Sequence, residues 1–113
     1  MNDPDFGISF HVDAEANVLT ATINGELDLA VEHQLIAAVT TAIAQSSHLV
    51  QGMVFDLRQI RFADSSGLRA IMVSYDLAKD AELRPSLLVT SGPITRLLDV
   101  AGVRDWFDFT NTE

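Results

Sequence analysis

The stretch Asp64-Ser65-Ser66-Gly67 sets two hydroxyls where they could do chemistry, after the apolar run Met53-Val54-Phe55-Asp56-Leu57 and before the amphipathic stretch Leu68 to Ala78. They fall where a strand should hand over to a helix. A helix start leaves four backbone N–H groups without intrahelical partners, and Asp or Ser is a favoured residue to cap them. One cap residue would satisfy that geometry, whereas this turn holds an aspartate, two serines and a glycine. A hydroxyl here is exposed, and a phosphate attached to it would sit at the positive end of the helix.

Serines on strand-to-helix turns also serve as nucleophiles in hydrolases, so acyl transfer by Ser65 or Ser66 is a competing chemistry. The local pattern is not Gly-x-Ser-x-Gly, and no histidine follows His48 to act as the base. With zero cysteines there is no thiol nucleophile, disulfide framework or thiolate metal site. His11, His33 and His48 fall on separate expected elements without ligand-like spacing, and no Gly-rich phosphate loop occurs. The chain therefore reads as a non-enzyme with no metal and no cofactor.

The elements that must position the turn follow from periodicity. Phe6, Ile8, Phe10 and Val12 alternate with polar or small residues as in a half-buried strand, and Asp13 to Asn17 reads as a turn. Leu19, Ala21 and Ile23 alternate again, giving a hairpin partner that ends at Gly25. From Asp28, the expected N-cap, Val31, Leu35, Val39, Ala42 and Ile43 share one helix face. Leu49 to Leu57 is nearly continuous in apolar residues, as in a central strand covered on both faces. Leu68, Ile71, Met72, Tyr75 and Ala78 form the buried stripe of the next helix, and Pro85 introduces a strand through Leu87, Leu88 and Val89. Gly92-Pro93 opens a third helix that Gly102 stops, with Leu97 and Leu98 inward. Trp106, Phe107 and Phe109 suggest a last short strand; with Tyr75 they fit core packing better than a base-stacking platform.

The expected fold is thus α/β, a mixed β-sheet of about five strands in ββαβαβαβ order with helices packed on it. Residues 1–113 are read as a single domain with its core over about 6–110, since 113 residues at 48% hydrophobic content fill one core. Sites in such sheets form beyond the carboxyl ends of the strands. If their strands are neighbours, the Gly25 to Asp28 turn and the Asp64 to Gly67 turn make one surface.

The formal net charge of -9 is uneven: residues 1–57 hold eight acids and no Lys or Arg, and residues 58–113 hold eight acids and all seven bases. A half without a base argues against direct nucleic-acid binding and against an anionic membrane surface. No apolar run reaches the roughly 20 residues of a bilayer span, and the amino-terminal residues lack a signal-peptide pattern, so a cytoplasmic protein is expected.

Gly25-Glu26-Leu27-Asp28-Leu29, Val54-Phe55-Asp56-Leu57 and Phe62-Ala63-Asp64-Ser65-Ser66-Gly67-Leu68 together resemble, in order and spacing, the STAS domain of bacterial anti-sigma-factor antagonists. Leu97-Leu98-Asp99-Val100-Ala101-Gly102-Val103 is similar to that family's last helix, so the resemblance covers roughly residues 6 to 110. It implies a partner switch. The unmodified antagonist binds an anti-sigma factor that is also an ATP-dependent serine kinase, releasing a sigma factor; phosphorylation ends the binding and a metal-dependent serine phosphatase resets it. On this chain the resemblance makes Ser65 the phosphoacceptor, with Asp64, Ser66 and Gly67 shaping the turn and Asp28 in an adjacent recognition loop. The other reading it leaves is a non-switching scaffold subunit of a larger signalling or transport assembly.

Arg58, Arg61 and Arg69 surround the motif, a departure from the family it resembles, many of whose members carry small or uncharged residues at one or more of these places. The plain expectation is surface pairing with Asp56, Asp64 or Asp76. The functional one, for Arg61 and Arg69 above all, is contact with the kinase partner or damping of a phosphoserine charge.

Overall fold

The computed structural model describes residues 5–90 and 92–110. Strands β1 (Phe6–Asp13) and β2 (Val18–Leu27) form an antiparallel hairpin. A 3-10 turn (Leu29–Val31) leads into helix α1 (Glu32–Ser46), and then come strand β3 (Gly52–Ala63), helix α2 (Ser65–Asp80), strand β4 (Arg84–Leu88) and helix α3 (Pro93–Ala101). A second 3-10 turn (Arg104–Trp106) follows. The sheet order is β1-β2-β3-β4, with β2, β3 and β4 parallel.

The hairpin forms because Asp13 accepts the backbone N–H groups of Glu15 and Ala16 and Asn17 takes a left-handed φ of 57° to reverse the chain. Residues Leu19, Ala21, Ile23 and Leu27 of β2 point inward and are almost wholly buried. Helices α1 and α2 lie against each other, burying Leu35, Val39, Ala42 and Ile43, with Val31 of the preceding turn, from one side and Leu68, Ile71, Tyr75 and Ala78 from the other. Met72 is only partly buried. Helix α3 lies along β3 with Ile94 and Leu98 buried, while Leu97 is half-buried.

The expected last strand is absent among the described residues, and the sheet has four strands, not five. Successive side chains of a strand point to opposite faces. Here the adjacent rings of Trp106 and Phe107 both pack on Tyr75, with centroids 5.7 and 4.9 Å away, so the chain must turn rather than extend. Only a single parallel bridge, Phe109 to Leu87, joins this segment to the sheet, made by the Leu87 N–H donating to the Asp108 carbonyl at 2.9 Å and the Thr110 N–H to the Leu87 carbonyl at 2.8 Å, and the Asp108 N–H donates to the Tyr75 hydroxyl at 2.8 Å.

Three strand boundaries also differ. Gly25 does not end β2, which runs on to Leu27; its φ of +94° and a space in which a Cβ would lie 1.7 Å from the Asp5 carbonyl oxygen explain the glycine. Strand β3 starts at Gly52, leaving Leu49 exposed, and continues past Leu57 to Ala63. Thr22 pairs with Asp56 but Asn24 with Gln59, and Gly25 pairs with Ile60 but Glu26 with Phe62. Each step inserts one extra residue in β3, so bulges carry the strand onward while its side-chain alternation breaks.

Candidate functional site

Because β2 and β3 are parallel neighbours, their carboxyl ends stop side by side, with Leu27 opposite Ala63. The turns that follow are joined by the Asp64 N–H, which donates to the Leu27 carbonyl at 3.2 Å. The expected single surface is therefore formed. Asp64 is extended (φ -109°, ψ -167°) and caps α2, its Oδ1 accepting the N–H groups of Ser66 at 2.9 Å and Gly67 at 3.1 Å. Ser65, the first residue of α2, is exposed, Ser66 is half-buried and Gly67 is buried. A Cβ on Gly67 would lie 2.5 Å from the Leu27 carbonyl oxygen, which is how close α2 comes to the end of β2.

Asp28 caps the 3-10 turn and not α1 itself: its carboxylate accepts the Ala30 N–H at 3.0 Å, while the N-cap position of α1 is Val31, which has no polar side chain to cap with. A tight turn fits between cap and helix because Val31 N–H reaches the Asp28 carbonyl at 3.2 Å. Leu29 is left pointing to solvent, as is Phe62 at the end of β3, both large apolar side chains on the elements that flank the two turns.

The three arginines divide. Arg58 pairs with Asp56 as expected, through Nε to Oδ1 and Nη2 to Oδ2, both 2.9 Å. Arg61 reaches Asp5 at 3.5 Å and Glu26 at 3.7 Å, all on exposed side chains, a weak surface cluster. Arg69 grips Glu32 instead of an aspartate, Nε to Oε2 at 2.5 Å and Nη2 to Oε1 at 2.9 Å. Asp64 is committed to the helix cap. Glu32, the first residue of α1, was not legible as part of the site; its signal in the sequence is an acidic residue in a helix's first turn, a pattern too common to single it out.

The Arg69 hydrogen bond holds the Glu32 carboxyl below its ordinary range, against the opposing effect of burial. Hydrogen bonding from Arg58 does the same for Asp56. Depressed carboxylate pKa values contribute stability that is present above the unfolded-state values and is lost as pH falls through the folded ones. Urea-denaturation midpoints should therefore hold steady from neutral pH to about pH 5 and fall below about pH 4, where the unfolded chain takes up protons first. Arg58→Gln combined with Arg69→Gln should flatten that fall; an unchanged slope would show the pairs are not what acid breaks.

His11, His33 and His48 are exposed and sit on β1, on α1 and in the loop before β3. Among the described residues no helix is long and apolar enough to cross a membrane.

The family model for the STAS domain matches residues 9–113. The fold is similar to that of an anti-sigma factor antagonist from Mycobacterium paratuberculosis, with a TM-score of 0.75 and 24% identity over 99% of this chain and 92% of that one. It is also similar to the anti-sigma factor antagonist SpoIIAA in its unphosphorylated form, with a TM-score of 0.69 and 22% identity over 95% of this chain and 89% of that one. The Bacillus cell fate determinant SpoIIAA in the phosphorylated form gives a TM-score of 0.63 and 22% identity, over 95% of this chain and 92% of that one. The hairpin, the two parallel crossovers and the match over residues 9–113 place this chain in the STAS domain family.

Proposed function

We propose that this protein is an anti-sigma-factor antagonist that works as a phosphorylation-controlled partner switch at Ser65. One observation carries the reading: Asp64 already caps α2 through the Ser66 and Gly67 amides, so the exposed Ser65 hydroxyl has no structural task at the helix start. A second protein can reach it, and the flanking Leu29 and Phe62 offer that protein apolar contact. The resemblance of the motif supplies the partner class, an anti-sigma factor that is also a serine kinase. Structures of SpoIIAA in unphosphorylated and phosphorylated forms support a fold that accommodates both states.

In the unmodified state the chain binds the kinase and the sigma factor is released. The Ser65 Oγ then attacks the γ-phosphorus of the kinase's ATP; the bond between the γ-phosphorus and the ADP oxygen breaks, ADP leaves, and the hydroxyl proton passes to a base on the kinase. A metal-dependent phosphatase reverses this with water, giving back serine and inorganic phosphate. The ester adds a charge of roughly -1.5 to -2 at a helix N-terminus, which tolerates it locally, so the cost falls mainly on the interface and the secondary structure is kept. Binding to candidate kinases from the same genome, measured for the unmodified and the Ser65-phosphorylated protein, tests this. Phosphorylation should weaken binding by roughly 100-fold or more, as expected when a charge is desolvated without a partner on the kinase side of the interface, with circular dichroism unchanged. Equal binding by both forms would overturn the switch and favour the scaffold reading.

A further inference from the structure

We propose that Arg69 is the internal receptor for a phosphate on Ser65, and that it reaches the phosphate by leaving Glu32. The inference rests on Ser65 being the modified residue. Ser65 and Arg69 are both in α2 and four residues apart, so their side chains are neighbours on the helix surface, with Cβ atoms about 5–6 Å from each other. In the unmodified protein the Arg69 fork is filled by Glu32, whose side chain is 7% exposed while that of Arg69 is 63% exposed. The guanidinium thus lies over a buried carboxylate with its outer edge in water, on a flexible stem.

A guanidinium binds phosphate with the same two-pronged geometry it uses for carboxylate. The phosphate offers up to twice the charge of Glu32, and at the first turn of α2 it enjoys the helix-end dipole as well. The exchange is local, requiring rotation of one side chain.

What it leaves behind reaches the other turn. Glu32 is the first residue of α1 and its N–H donates to the Leu29 carbonyl, closing the Asp28-capped 3-10 turn. With Arg69 gone, Glu32 is a buried carboxylate without its cation, and the tie between α2 and the start of α1 is lost. Phosphorylation at Ser65 would therefore loosen the turn that presents Leu29, in addition to placing charge at the surface.

The test needs no kinase: phosphoserine is installed at position 65 of the full chain by genetic encoding, and the second ionisation of the phosphate is followed by phosphorus NMR. The wild-type phosphate should ionise at a pH lower by roughly half a unit or more than in Arg69→Ala, because a nearby cation favours the dianion. Glu32→Gln should lower it further, because Arg69 is then undivided; it also keeps the test open should Arg69→Ala fail to fold. The Arg69 Nε–H resonance should shift on phosphorylation. Identical titrations in wild type and Arg69→Ala, or an upward shift in Glu32→Gln, would overturn the proposal. A protein that titrates as expected but still binds its kinase when phosphorylated would refute the switch and leave the exchange standing.

Discussion

Gly67→Ala should destabilise the protein by about 2 kcal/mol net and sharply reduce recognition of Ser65 by its kinase. The added methyl would lie 2.5 Å from the Leu27 carbonyl oxygen and 2.7 Å from the Leu27 Cβ. Neither atom is the free end of a side chain, since Leu27 is itself fully buried at the end of β2. Relief therefore requires α2 to back away from the sheet, stretching the bond between the Asp64 N–H and the Leu27 carbonyl that holds the two turns together. Overpacking of this kind costs about 1–3 kcal/mol, and alanine regains at most about 1 kcal/mol over glycine in helix propensity. Urea denaturation gives the stability change, and the initial rate of phosphorylation gives the effect on the site. An alanine variant as stable as the parent would mean that α2 can shift freely relative to β2 and that the glycine is not set by this contact.

The same contact explains what could be read in the sequence. Asp64-Ser65-Ser66-Gly67 announces a capped helix start from residue types alone, because N-cap preferences are local. That Gly67 must face Leu27, forty residues earlier in the chain, depends on β2 and β3 being parallel neighbours, and this follows from order and handedness of crossovers rather than from any residue. The strand ends were less legible. The bulges in β3 erase the period-2 pattern after Leu57, so the sequence reading of the strand stops there while the strand runs on to Ala63. The run from Trp106 to Phe109 looked like a strand because aromatic residues favour strands, yet Tyr75 gathers two successive rings on one side. The Arg69–Glu32 pair joins residues 37 apart, and nothing local distinguishes it from the pairing with a nearby aspartate that sequence suggests. For the same reason, the Ser74 hydroxyl, buried in α2 without a hydrogen-bond partner among the described residues, could not be told from a solvated one.

Phe55→Ala should cost about 3–5 kcal/mol, a large share of the roughly 5–15 kcal/mol that holds a domain together. Phe55 is wholly buried at the middle of β3, flanked in register by Ala21 of β2 and Leu87 of β4, with the Tyr75 ring 6.4 Å away. Truncation leaves a cavity beside the Tyr75 ring of α2 that strands on either side cannot close, whereas Phe55→Leu fills most of it and should cost less than about 1.5 kcal/mol. The residue belongs to the scaffold and touches neither turn, so the two losses predicted here have different signatures. The Phe55→Ala protein that remains folded should bind the kinase with its intrinsic affinity, and excess partner should raise its melting temperature by mass action. Cooling should restore its binding as the folded fraction recovers, while Gly67→Ala should stay impaired at every temperature because its folded state carries the displaced turn. Thermal scans by circular dichroism with and without the partner, at two temperatures of binding measurement, separate them. Failure of a fully folded Phe55→Ala protein to bind would show that packing at the centre of β3 controls the geometry of the two turns, and the site would then extend into the core.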